Sequence, residues 1–105
     1  MLRIYPVMLQ VLRELRPVIT QIETRDGDLA RQLRRAASSV TLNLAEGSGS
    51  RGGTRSERYR NALGSAREVG ACLDTAEALG YVEAIDERTR LALHHVQGTL
   101  VRVVV

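Results

Sequence analysis

Residues 29–44 read LARQLRRAASSVTLNL. At about 100° per residue, Leu29, Leu33, Ala36, Ala37, Val40 and Leu44 fall on one face. Arg31, Arg34, Arg35 and Ser38 point away from it. This is an amphipathic helix that buries an apolar stripe and turns cations outward. It is expected over about 28–46, after an Asp26-Gly27-Asp28 turn, with Gly47 as a left-handed C-terminal stop.

The same periodicity recurs on either side. Over about 5–24, Val7, Met8, Val11, Leu12, Leu15, Val18, Ile19 and Ile22 share a stripe, with Gln10, Arg13, Glu14, Arg16, Thr20 and Gln21 opposite. Pro6 suits a first turn. Pro17 removes the bond to the Arg13 carbonyl and is expected to kink or split the helix. After a Ser48–Gly53 segment that reads as a flexible loop, Thr54 and Glu57 form a T-x-x-E capping box for a helix over about 55–79. Tyr59, Ala62, Leu63, Ala66, Val69, Leu73 and Ala76 are its core stripe, and Gly80-Tyr81 reads as a Schellman ending. A last helix, about 86–104, is capped by Asp86 and buries Ala92, Leu93, Val96, Leu100 and Val103. Short links favour antiparallel neighbours. The expectation is an all-α, up-down antiparallel four-helix bundle, one domain over 1–105.

Composition agrees with that economy. Phe and Trp are absent and Tyr occurs three times, so Leu, Val, Ile and Ala must fill the core. One cysteine, Cys72, excludes an internal disulfide and reads as a small core residue. No signal-peptide pattern and no apolar run of about 20 residues is present. A cytoplasmic protein with no membrane partner is expected. The net charge of +3 is unevenly spread: residues 31–60 hold seven Arg against Glu46 and Glu57. Every cation is Arg, which offers planar bidentate contacts to phosphate or carboxylate. A GC-rich genome also replaces Lys by Arg, so the absence of Lys alone says little about function.

Gln32-Leu33-Arg34-Arg35-Ala36-Ala37, then Asn43-Leu44-Ala45-Glu46-Gly47, then Gly64-Ser65-Ala66-Arg67-Glu68, resemble the four-helix-bundle proteins encoded in 23S rRNA intervening sequences. Leu79-Gly80-Tyr81-Val82 resembles the ending of that family's third helix. The likeness runs from about residue 29 to the end. The first helix departs from the pattern, with Leu15-Arg16-Pro17 continuing where a Phe-Pro turn is usual. The resemblance implies a homopentamer without enzyme activity or cofactor. A related member is the accessory protein of diversity-generating retroelements, which binds a reverse transcriptase and nucleic acid through a basic surface. RNA or DNA, and a reverse transcriptase or other protein, are therefore the implied partners.

Three groups of residues carry the functional reading. Arg31, Arg34, Arg35, Arg51, Arg55, Arg58 and Arg60 are candidate phosphate contacts, with an ordinary solvated or subunit-paired face as the alternative. Aromatic residues do not alternate with them, so base stacking has little support. Asn43, Glu46, Asn61, Ser65 and Glu68 lie on facing helix flanks and read as an interhelical hydrogen-bond network; beside them stands no His, Cys or metal-ligand cluster that would complete a catalytic mechanism. Gly64, Ala71 and Ala78 recur every seven residues away from the core, flanked by Arg60, Arg67 and Asp74, and suit close approach of another subunit's helix in a ring. Leu42, Leu91 and Val101 also lie off the inner stripes. His94 and His95 point about 100° apart and cannot chelate one metal together. The leading expectation is a non-enzymatic oligomeric nucleic-acid-binding or accessory protein; the rival is a structural scaffold.

Overall fold

The computed structural model describes residues 2–104. Four helices follow one another: α1 (Ile4–Glu23), α2 (Gly27–Ser48), α3 (Gly52–Ala78) and α4 (Glu87–Val103). Three residues link α1 to α2 and three link α2 to α3, which forces antiparallel neighbours. Successive helices pack on each other, and α1 also packs on α4, closing the four-helix bundle. None of the helices is long and apolar enough to cross a membrane.

The apolar stripes meet in one core. Met8, Val11, Leu15 and Ile22 from α1 are wholly covered, as are Leu33 and Val40 from α2, Val69 and Leu73 from α3, and Val96 and Leu100 from α4. Cys72 is buried, and burial raises its thiol above the usual range. Val103 departs from expectation and is exposed. The helix ends there, and it is Val104 that packs against the core.

Local signals set the helix ends, with three corrections. Pro17 does not split α1, which runs through it. Pro17 and Arg13 are on the exposed side, where water can satisfy the freed carbonyl. Gly47 is not a left-handed stop: α2 continues to Ser48, and Gly47 is buried inside it because the Tyr59 ring lies where a Cβ would stand. The Thr54–Glu57 capping box does not form. α3 starts three residues earlier at Gly52, whose φ of +57° is open to glycine, and its N-cap Arg51 makes no side-chain capping bond. The six-residue loop thereby shrinks to Gly49–Arg51.

The other ends follow their residues. The Asp26 carboxylate accepts from the Leu29 N–H at 3.0 Å and caps α2. It also accepts from the Tyr81 hydroxyl at 3.1 Å, tying that end to the α3–α4 link and holding the Tyr81 phenol above its ordinary range. Gly80 at φ +74° closes α3 with the Schellman pair: Tyr81 N–H to the Ala76 carbonyl at 2.9 Å and Gly80 N–H to Glu77 at 3.0 Å. Asp86 caps α4 through the Arg88 N–H at 2.9 Å. Across the bundle, Glu14 accepts from the Thr89 hydroxyl at 2.6 Å, fixing α1 against α4.

Candidate nucleic-acid interface

The outward face of α2 follows from its inward one. With Leu33, Ala37, Val40 and Leu44 in the core, Arg31, Arg34, Arg35 and Leu42 are left exposed. Arg58 comes across from α3 to the same side and pairs with Glu46 at 3.1 Å. Arg34, Arg35 and Arg58 line a groove of about 510 Å³ with Ser38, Ser39 and Asn43; Glu46 is its single carboxylate. Three guanidiniums on one face form a surface that can hold phosphate oxygens, while the Ser38 hydroxyl between them donates to the Arg34 carbonyl at 2.8 Å.

The seven candidate arginines divide by what they already touch. Arg31 pairs with Asp28 on its own helix. Arg34 reaches Glu23 of α1 at 3.5 Å. These pairs are solvent-exposed and hold their partners weakly, so an incoming phosphate can replace the carboxylate. Arg55 is different. Its Nε donates to the carbonyls of Gly47 at 3.2 Å and Ser50 at 2.9 Å, so it caps the C-terminus of α2. Among the described residues Arg35, Arg51 and Arg60 form no ion pair. They do not form one tight cluster: Arg35 lies midway along α2, Arg51 in the link, and Arg60 on α3.

The polar network differs from its expected form. Asn43 does not cross to α3; its Nδ2 donates back along α2 to the Ser39 carbonyl at 2.9 Å and the Ser39 hydroxyl at 3.1 Å. Ser39 makes the crossing, with the Ser65 hydroxyl donating to it at 2.8 Å. Two short serine side chains meet only where helices run close, and α2–α3 is the most extensive contact in the bundle. Glu46 takes part through Arg58, while Asn61 and Glu68 are exposed. Ser39 was the missed residue. Its signal was positional, since 39, 43 and 46 share a flank at i, i+4 and i+7. A second missed crossing runs from α4 to α3, where Gln97 donates to the Ala66 carbonyl at 3.1 Å.

Gly64, Ala71 and Ala78 lie exposed on α3, and Arg60, Arg67 and Asp74 beside them are exposed too. Asp74 also pairs with Arg90 of α4 at 2.9 Å. Leu42, Leu91 and Val101 are 61%, 59% and 45% exposed, too much for core residues. His94 and His95 are both exposed. Among the described residues no group of three or more His, Cys, Asp or Glu is placed to hold a metal ion.

A family model described as 23S rRNA-intervening sequence protein matches residues 2–100. Neither a curated protein nor a solved structure matches the chain.

Proposed function

From the premise that this chain belongs to the 23S rRNA-intervening sequence protein family, we propose that it is a non-enzymatic, self-assembling protein that binds RNA or DNA through the outer face of α2. The observation that carries this reading is the groove in which Arg34, Arg35 and Arg58 converge with three hydroxyl or amide side chains and one acid. Recognition there is of the phosphate backbone. Helix α2 presents no paired base-reading side chains, so sequence preference is slight. Self-association through the exposed Gly64–Ala71–Ala78 seam, as a pentamer in line with the family resemblance, repeats the patch on each subunit. Weak contacts then sum through multivalency. A reverse transcriptase or another nucleic-acid enzyme is the class of protein partner such an accessory would serve.

A salt-dependent titration with single-stranded RNA and duplex DNA tests this. Each engaged phosphate contributes a slope of about −0.7 on single strands and about −0.9 on duplex DNA. Reversing Arg35 to Glu weakens binding while leaving the bundle folded, because this side chain is exposed and forms no ion pair among the described residues. Reversing Arg34 and Arg58 as well removes binding but also breaks their pairs with Glu23 and Glu46, so circular dichroism must show that variant folded. Wild-type protein that binds neither RNA nor DNA at low salt would refute the reading.

The second reading is a scaffold with no nucleic-acid role, and the exposed small-residue seam favours it independently. Gly64→Leu or Ala71→Arg places bulk or charge in that seam and is expected to shift the protein toward monomer in sedimentation. If assembly responds in this way and nucleic-acid binding is absent, the scaffold reading stands alone.

A further inference from the structure

We propose that the groove between α1 and α2 docks an acidic amphipathic helix of a partner protein. The groove, of about 450 Å³, shares Arg34 and Ser38 with the α2 groove described above and is otherwise lined by α1 residues and Ala37. Its floor is apolar: Leu9 and Leu12 of α1 are half-buried, and Ala37 of α2 and Ile19 lie beneath. Leu9 stands off the core stripe of α1 and is not packed against the core, so part of its side chain faces the groove. Arg13 and Arg16 from α1 and Arg34 from α2 form the rim, and no carboxylate lines it.

Charge decides the kind of occupant. Glu14, the acid nearest in sequence, turns to the other flank of α1, where Thr89 and Arg88 hold it. Glu23 lies at one end and reaches only Arg34. Arg16 makes no ion pair among the described residues, and Arg13 donates to the neutral Gln10. Three guanidiniums around an apolar floor call for several carboxylates flanking an apolar stripe. A sugar-phosphate chain offers the anions without the stripe. A single fatty acid offers the stripe with one anion. A helix with Leu or Ile at i, i+3, i+4 and i+7 and Glu on its flanks supplies both, and guanidiniums grip such carboxylates in pairs. The lining runs from Leu9 to Thr20, which is about 18 Å of α1 and matches about three turns of a docked helix.

Arg13 and Arg16 take no part in the nucleic-acid reading, so the two can fail separately. The probe is a labelled peptide of about four helical turns with a Leu stripe and Glu flanks, titrated against the full chain by fluorescence anisotropy. Two controls replace Glu by Lys and Leu by Ser. The Glu–Leu peptide is expected to bind about tenfold or more tighter than either control. The double variant Arg13→Glu/Arg16→Glu is expected to lose that advantage, and Arg35→Glu to keep it; circular dichroism verifies that both are folded. Equal binding of the Glu and Lys peptides, or of the Leu and Ser peptides, overturns the proposal, as does an unchanged double variant. It is also overturned if the double variant breaks a wild-type oligomer in sedimentation, which makes a second copy the occupant. Oleate binding that depends on Arg13 and Arg16, without peptide binding, overturns it in favour of a lipid anion.

Discussion

Gly47→Ala opposes two effects of known sign. Gly47 lies inside α2, and replacing an interior helical glycine by alanine ordinarily stabilises by up to about 1 kcal/mol. Here the added Cβ would stand 2.3 Å from Cε1 and 2.7 Å from Cδ1 of Tyr59. Neither carbon can tolerate that distance, so the ring or the helix must move. Tyr59 is only 6% exposed, so a shift of its ring disturbs its neighbours in the core. Overpacking of this kind costs about 1–3 kcal/mol, and the close distances place it at the upper end. The expected net is a destabilisation of about 1–2 kcal/mol, read as a lower urea midpoint at unchanged slope. Gly98→Ala, inside α4 and outside the α3 seam, is the internal control. Its Cβ position meets the flexible end of Arg102 at an ordinary 3.8 Å, so the same exchange should stabilise by up to about 1 kcal/mol. Combining Gly47→Ala with Tyr59→Leu should recover part of the loss, giving a non-additive cycle. A Gly47→Ala protein as stable as wild type would refute the close-approach account of α2 and α3.

Other consequences follow from the same geometry. Ser39→Ala deprives Ser65 and Asn43 of a partner and is expected to destabilise by about 1–3 kcal/mol in urea denaturation, whereas Asn61→Ala, exposed, should lie within about 0.5 kcal/mol of wild type. Gly80→Ala forces a β-carbon into a φ of +74° and should lower stability by about 1 kcal/mol, with the loss seen as fraying at the end of α3 in hydrogen exchange. Stability should also fall with acid. Glu77 is held below the ordinary carboxyl range by the Ile85 N–H and then by Arg90, and Glu14 by the Thr89 hydroxyl and then by Gln10. A lowered folded value means the unfolded chain binds protons more readily. The contribution is therefore complete above the unfolded carboxyl value of about 4.3 and is lost as pH falls through the lower folded values. Glu14→Gln/Glu77→Gln should flatten that acid limb in a pH series of thermal melts.

Helix number and core were legible because burial here follows period alone. Leu29, Leu33, Ala36, Ala37, Val40 and Leu44 are all buried, as are the seven stripe residues expected in α3. Tyr59 is the one aromatic buried among the described residues, so away from it a residue's angle on its helix nearly settles its fate. The failures have separate causes. Gly47 reads locally as a stop, yet the Tyr59 ring twelve residues on makes it a packing glycine instead. Thr54 and Glu57 have the spacing of a capping box, but Gly52 can adopt a positive φ and admits a helix start three residues earlier. Pro17 carries a real local penalty that the continuous stripe around it outweighs, since Leu15, Ile19 and Ile22 must reach one core.

Charge was less legible than hydrophobicity, for a physical reason. A buried stripe needs only the right angle, whereas the role of an arginine depends on which acid or carbonyl its long side chain can reach. Seven arginines look equivalent in the sequence. Folded, Arg55 caps the carbonyl end of α2, Arg58 ties α3 to Glu46, Arg31 and Arg34 lean on nearby acids, and Arg35, Arg51 and Arg60 form no ion pair among the described residues. Replacing Arg51 and Arg55 together therefore mixes two effects, since Arg55 also ends a helix, and a lost affinity there could come from a frayed α2. Arg35 separates them. It lines the α2 groove, is exposed, and forms no ion pair among the described residues, so its reversal acts on the ligand without taking a structural bond away from the bundle.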